Sequence, residues 1–146
     1  MSIQLDNHTG ILIKKAARLF EQAANKDLEQ LGVTYAQTTF LIRLWEKDGQ
    51  SQIELAKSAG LKQPTVVRTL DRMERDELIT RVRNTEDRRI FNFFLTEKAK
   101  IACQKLEEQV HSMRHLSTTN FSENEIALLN QLIVKMIGNL ESFLGT

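Results

Sequence analysis

Cysteine and proline are nearly absent: the 146 residues hold one of each, along with one tryptophan, one tyrosine and three histidines. A single cysteine excludes an intrachain disulfide, so packing has to hold the chain together, as suits a reducing compartment. No apolar run is as long as a membrane span, and the N-terminus lacks the apolar region of a signal peptide. A cytoplasmic protein without membrane contact is therefore expected. Excess charge of one sign is missing too, since 20 Lys and Arg face 19 Asp and Glu for a net charge of +1. That balance argues against a generic nucleic-acid coat, and any DNA binding must come from a local arrangement of basic side chains. There is no glycine-rich phosphate loop and no Ser-His-Asp set on plausible elements. The sequence predicts no enzyme, no catalytic residues and no cofactor.

What is present centres on Ser51 to Thr96. Ser51-Gln52-Ile53-Glu54 is a capping box, opening a short helix with Ile53, Leu55, Ala56 and Ala59 that ends at Gly60. A second helix begins at Gln63-Pro64, where proline loses no hydrogen bond because that N–H is unpaired in any helix. Along it Val67, Leu70 and Met73 are expected to face inward, leaving Thr65, Arg68, Thr69 and Arg72 on other faces. These two helices, joined at Ala59-Gly60-Leu61-Lys62, make a helix-turn-helix. Leu78 to Arg83 and Ile90 to Leu95 are rich in β-branched or aromatic residues and flank the polar tip Asn84 to Arg89, which reads as a hairpin. A helix-turn-helix followed by a hairpin is a winged helix.

The run Ser51-Gln52-Ile53-Glu54-Leu55-Ala56-Lys57, the segment Gln63 to Asp71, and Asp87-Arg88-Arg89 followed by Leu95-Thr96-Glu97-Lys98-Ala99 resemble the MarR family of bacterial transcription regulators, and within it the SlyA-like branch. The resemblance extends over nearly the whole chain. It implies a homodimer whose terminal helices form the interface, a wing arginine at Arg89 entering the minor groove, Asp87 bracing the tip, and a response to small, often aromatic anions. Both repression and activation occur in such proteins.

The remaining elements fit a mainly α architecture with a small β-hairpin. Residues 1–33 are expected to form an N-terminal dimerisation helix, 34–98 the winged helix-turn-helix, and 99–146 the C-terminal dimerisation helices. The first helix carries Ile11, Leu12, Leu19, Phe20, Ala23, Ala24 and Leu28. Thr34 to Gln37 is a second capping box, opening a helix with Phe40, Leu41, Leu44 and Trp45 inward. Thr96 caps a long helix with Ile101, Leu106 and Val110 inward, and Ser122 to Glu125 is a third box. The last helix is apolar over almost half its circumference, which marks an interface or a face folded onto its own domain. Ile11, Leu19, Ile133, Met136, Ile137, Leu140 and Leu144 are the dimerisation candidates.

A helix in the major groove reads bases through Arg on guanine and through Thr on either partner. Arg68 is the main candidate, with Gln63, Pro64, Thr65, Thr69 and Arg72 beside it, while Ser51, Gln52 and Lys62 are placed to touch phosphates. In the wing, Asp87, Arg88 and Arg89 are the candidates, because a narrow minor groove attracts guanidinium. Against this stands pairing of Arg68 and Arg72 with Asp71, Glu74 or Asp76 on the same helix, and plain solvation of Arg81 and Arg83. A ligand site is expected near Lys15 and Arg18, which can hold a carboxylate, with Phe20 and Tyr35 to stack a ring. Cys103, Glu107, His111 and His115 share one helix face, but its ends lie about 18 Å apart at 1.5 Å per residue, so no metal site is expected. The competing function is a winged helix that binds only proteins.

Overall fold

The computed structural model describes residues 5–146, and these divide into two compact units, one extending to Met113 and the other from Arg114. In the first unit α1 (Thr9–Leu28) passes through a 3-10 turn at Glu29–Leu31 and stops at Gly32, whose φ of 68° lets it cap the turn. Thr34 and Gln37 then cap α2 (Tyr35–Glu46) reciprocally, as Ser51 and Glu54 cap α3 (Gln52–Ala59). The backbone hydrogen bond from Ser51 holds the Glu54 carboxyl below the ordinary carboxylate range. Gly60 closes α3 with φ 65°, and α4 (Gln63–Arg75) follows with proline in its first turn.

The sheet has three antiparallel strands in the order β1 (Gln50–Ser51), β3 (Phe91–Leu95), β2 (Ile79–Arg83). The hairpin β2–β3 pairs Ile79 with Leu95 and Arg83 with Phe91, and β1 adds Gln50 opposite Phe93. The sequence pattern did not disclose β1, because two residues are too few to show an alternation. Helix α5 (Glu97–Ser117) starts under Thr96, whose hydroxyl accepts from Ala99 N and donates to Glu77 O.

One core ties these elements together. Phe40, Leu41, Leu44, Leu55, Val66 and Phe93 are almost fully enclosed, each contributing on the order of 1.5–3 kcal/mol by leaving water. Three sequence expectations need correction. The inward stripe of α4 is Val66, Leu70 and Met73, and Val67 is exposed. A spacing of four then three follows the 3.6-residue turn more closely than two steps of three, so the stripe begins one residue earlier. On α5 the buried positions are Ala99, Ala102, Leu106 and Met113, leaving Ile101 and Val110 exposed. Small alanines there allow the helix to approach closely, which a ranking by hydrophobicity misses. Trp45 is 51% exposed at the end of α2. On α1, Ala24 and Leu28 are buried and Ile11, Leu12 and Leu19 are exposed.

The second unit contains the last residues of α5, a turn in which Asn120 has φ 66°, and α6 (Glu123–Leu144). Ser122 and Glu125 cap α6 reciprocally and Gly145 closes it in the left-handed conformation. No residue of α6 is buried, although Leu132, Ile133, Ile137 and Leu140 recur along it.

Two backbone positions test this geometry. Gly49 has φ 76°, and a Cβ there would lie 2.8 Å from the Phe94 ring. Gly49→Ala is expected to cost about 1–3 kcal/mol through left-handed backbone and steric conflict together. Glu77, with φ 58°, turns the chain from α4 into β2 without glycine, so Glu77→Gly is expected to add about 0.5–1 kcal/mol. Urea unfolding of both variants checks the opposite signs.

Candidate nucleic-acid interface

The turn between α3 and α4 sets the presentation of α4. Leu61 N donates to Ala56 O, and Lys62 O accepts from Thr65 N and Val66 N, so α4 begins rigidly although Lys62 supplies no side-chain cap. Gln52 Nε2 donates to Gln63 Oε1 at 2.9 Å, joining the first turns of the two helices. Ser51 accepts from Glu54 N in its cap, and its hydroxyl proton can still be donated outward. Lys62, Gln63, Pro64, Arg68 and Arg72 are exposed. Among the described residues Arg68 and Arg72 form no ion pair. Thr65 and Thr69 lie elsewhere: both are half-buried, Thr69 donates to Thr65 O at 2.9 Å, and both line a cavity.

Of the carboxylates that could have paired with Arg68 and Arg72, Asp71 and Glu74 face the wing and Asp76 accepts from Gln37 Nε2 at 2.8 Å. Arg81 of β2 reaches Asp71 at 2.8 Å and Glu74 at 3.4 Å, with its guanidinium 5.4 Å from the ring centres of Phe91 and Phe93. Only Arg75 makes a neighbouring pair on the helix, with Asp76 at 3.7 Å.

The wing tip is built from amides and one ion pair. Asn92 Nδ2 donates to Gly49 O, Asn84 Nδ2 donates to Asn92 Oδ1, and Asn84 Oδ1 accepts from Glu86 N and Asp87 N. Asp87 then grips Arg89 through Nε at 3.0 Å and Nη2 at 2.9 Å. That fork holds the Asp87 carboxyl below the usual range and raises the Arg89 guanidinium further. Arg89 remains 89% exposed beside its brace, and Arg88 is exposed next to it. Arg83 lies 4.8 Å over Phe91 and donates to Arg88 O. Arg81, Asn84 and Asn92 were missed as functional residues. The Asn84–Asn92 link becomes visible only once the hairpin register is known.

Within the first unit a cavity of about 540 Å³ lies among α1, α2, α4 and α5. Phe20 and Tyr35 line it edge to face, 5.7 Å between ring centres. Glu21 is its one charged lining side chain among the described residues, and Lys15 and Arg18 are exposed off the lining.

A winged helix with exposed arginines at both the helix and the tip has known relatives. The family model described as MarR family matches residues 33–91. A solved transcriptional regulator, PA3341, is 32% identical, covering 92% of this chain and 99% of its own, with a TM-score of 0.71. The chain belongs to the MarR family. It is a family of transcriptional regulators, not enzymes. The fold also matches a cysteine-to-serine MarR mutant from E. coli complexed with operator DNA, at 24% identity, 92% and 99% coverage and a TM-score of 0.81. The PcaV transcriptional regulator from Streptomyces coelicolor, in complex with its natural ligand, matches at 23% identity, 94% and 97% coverage and a TM-score of 0.77.

Two other groups of reactive side chains lie on α5 of this MarR-family chain. His111 is 4.0 Å from Glu107, and no group of three or more potential ligands gathers among the described residues. Cys103 is half-buried with Sγ 3.8 Å from Leu41 O, and burial pushes its thiol up to about 11. A raised thiol is protonated below that value, so it is a poor nucleophile near neutrality. Alkylation by iodoacetamide at pH 7.5 is expected to run on the order of a hundredfold slower than for a free cysteine, and to accelerate as pH rises towards 11. Mass spectrometry of timed samples measures this rate.

Proposed function

We propose that this MarR-family chain binds DNA sequence-specifically as a homodimer, reading the major groove with α4 and the adjacent minor groove with the wing. The observation that carries the reading is the pair of arginine presentations: Arg68 and Arg72 exposed and unpaired on α4, and Arg89 held outward by Asp87 at the wing tip. A protein-only winged helix has no use for guanidinium groups presented in this way. Arg68 is assigned to a base edge, with Gln63, Pro64 and Arg72 beside it, and Arg89 to the minor groove. Ser51, Gln52 and Lys62 contact phosphates. Thr65 and Thr69 act through the cavity side of the helix more than through the bases. The Leu95-Thr96-Glu97-Lys98-Ala99 run favours the SlyA-like branch.

The dimer reading is supported by α6, on which no residue is buried and Ile133, Ile137, Leu140 and Leu144 are exposed, and by Ile11 and Leu19 exposed on α1. Residues 1–33 and 99–146 are assigned to dimerisation, with Met136 on the same α6 face. A two-fold dimer calls for a pseudo-palindromic site with half-sites about 34 Å apart. Regulation is assigned to a small aromatic molecule in the cavity, packed against Phe20 and Tyr35. PcaV is similar in fold and was solved with a natural ligand. Lys15 and Arg18 do not line the cavity, so uncharged aromatics fit it better than anions. A ligand shifts DNA binding only if it favours one dimer geometry over the other.

Selection from random duplexes followed by titration across a salt series tests the DNA reading. Binding is expected to saturate at two chains per selected site. Arg68→Ala is expected to cost about 1–3 kcal/mol and relax the sequence preference, and Arg89→Ala to cost a similar amount. No enriched sequence, with both variants equal to wild type, would leave the protein-interaction reading.

A further inference from the structure

Arg81 has a position that neither DNA contact nor solvation explains. It is on β2, opposite Phe93 in the hairpin register, and Phe91 lies diagonally across on the same face. Both rings lie 5.4 Å from its guanidinium and hold the group in place, while the fork takes Asp71 at 2.8 Å and Glu74 at 3.4 Å. Its side chain is only 31% exposed, so these charge pairs are less screened than open surface pairs. Asp71 follows Arg68 by three residues and precedes Arg75 by four, the spacings at which helical ion pairs form. A free Asp71 would therefore compete with DNA for Arg68, and any free carboxylate on a DNA-facing helix repels phosphates.

We propose that Arg81 is a positioning residue of the DNA reader: it draws Asp71 onto the root of the wing and so leaves Arg68 free for DNA, and it neutralises Glu74 beside it. This rests on the DNA-reading conclusion above. The same contacts join helix and wing, so the groove-reading parts are held together by the group that neutralises the helix's acids.

The test is a mutant cycle on the selected duplex at fixed salt: wild type, Arg81→Met, the Asp71→Asn/Glu74→Gln pair, and all three substitutions together, each with a melting temperature. Arg81→Met is expected to weaken binding about tenfold. Neutralising the two acids is expected to raise affinity at least about fivefold more in the Arg81→Met background than in wild type, because Arg81 already occupies them there. That recovery should come without recovery of the melting temperature, which a purely structural role would not allow. Equal gains in both backgrounds, or no loss in Arg81→Met, overturn the proposal, since the acids would then act only as distant charges. If Arg81→Met fails to fold, the same cycle on Arg81→Gln, which keeps a polar side chain without the charge, gives the same comparison. A wild-type protein with no sequence preference would instead overturn the DNA-reading conclusion itself.

Discussion

Every side of α4 is in use, and the rest of the first unit is arranged around that constraint. Val66, Leu70 and Met73 close the core, Thr65 and Thr69 face the cavity, Asp71 and Glu74 meet Arg81, and Arg68 and Arg72 are left outside. Nine of the helix's thirteen residues carry these roles, so a rotation of the helix about its axis would disturb all of them at once. Proline in the first turn and the left-handed Gly60 before it fix where the helix starts. The link from Gln52 to Gln63 and the core stripe fix how it faces.

That arrangement connects the cavity to the outer face of the helix without an intermediate element. Thr65 and Thr69 line the cavity one turn apart, with Arg68 between them in sequence on the outer side. On the proposed reading, a molecule in the cavity that pushes on these threonines displaces the helix that carries Arg68. Near-neutral net charge suits such a device. Affinity for DNA then depends on a few placed guanidinium groups, not on a general field.

The local punctuation of the chain was legible before its packing was. Three capping boxes, at Thr34, Ser51 and Ser122, and the proline start of α4 lie where the residue types demanded, because caps depend on neighbours within four residues. The hairpin and its Asp-Arg-Arg tip were legible for a similar reason. Which face of each helix is buried was less so: Val66 and Val67 are equally apolar, and the stripe settles on Val66 where α4 packs against α2, α3 and β2. Ile101 lost its expected place to Ala99 and Ala102, since close approach favours small side chains there. Arg81 was hardest to see. Its role comes from Asp71 and Glu74 on another element and from two phenylalanines across the hairpin, and no sequence spacing encodes that meeting.

The central claim is that α4 and the wing occupy adjacent grooves of one DNA site. Hydroxyl-radical footprinting of the wild-type protein and of Arg89→Ala on the selected duplex tests it most directly. A two-fold symmetric footprint is expected with half-sites about 34 Å apart, from which Arg89→Ala removes the flanking minor-groove protection and leaves the backbone protection beside α4 in place. Identical footprints for the two proteins would contradict it, because the wing would then contribute nothing at the groove that Arg89 is held out to meet.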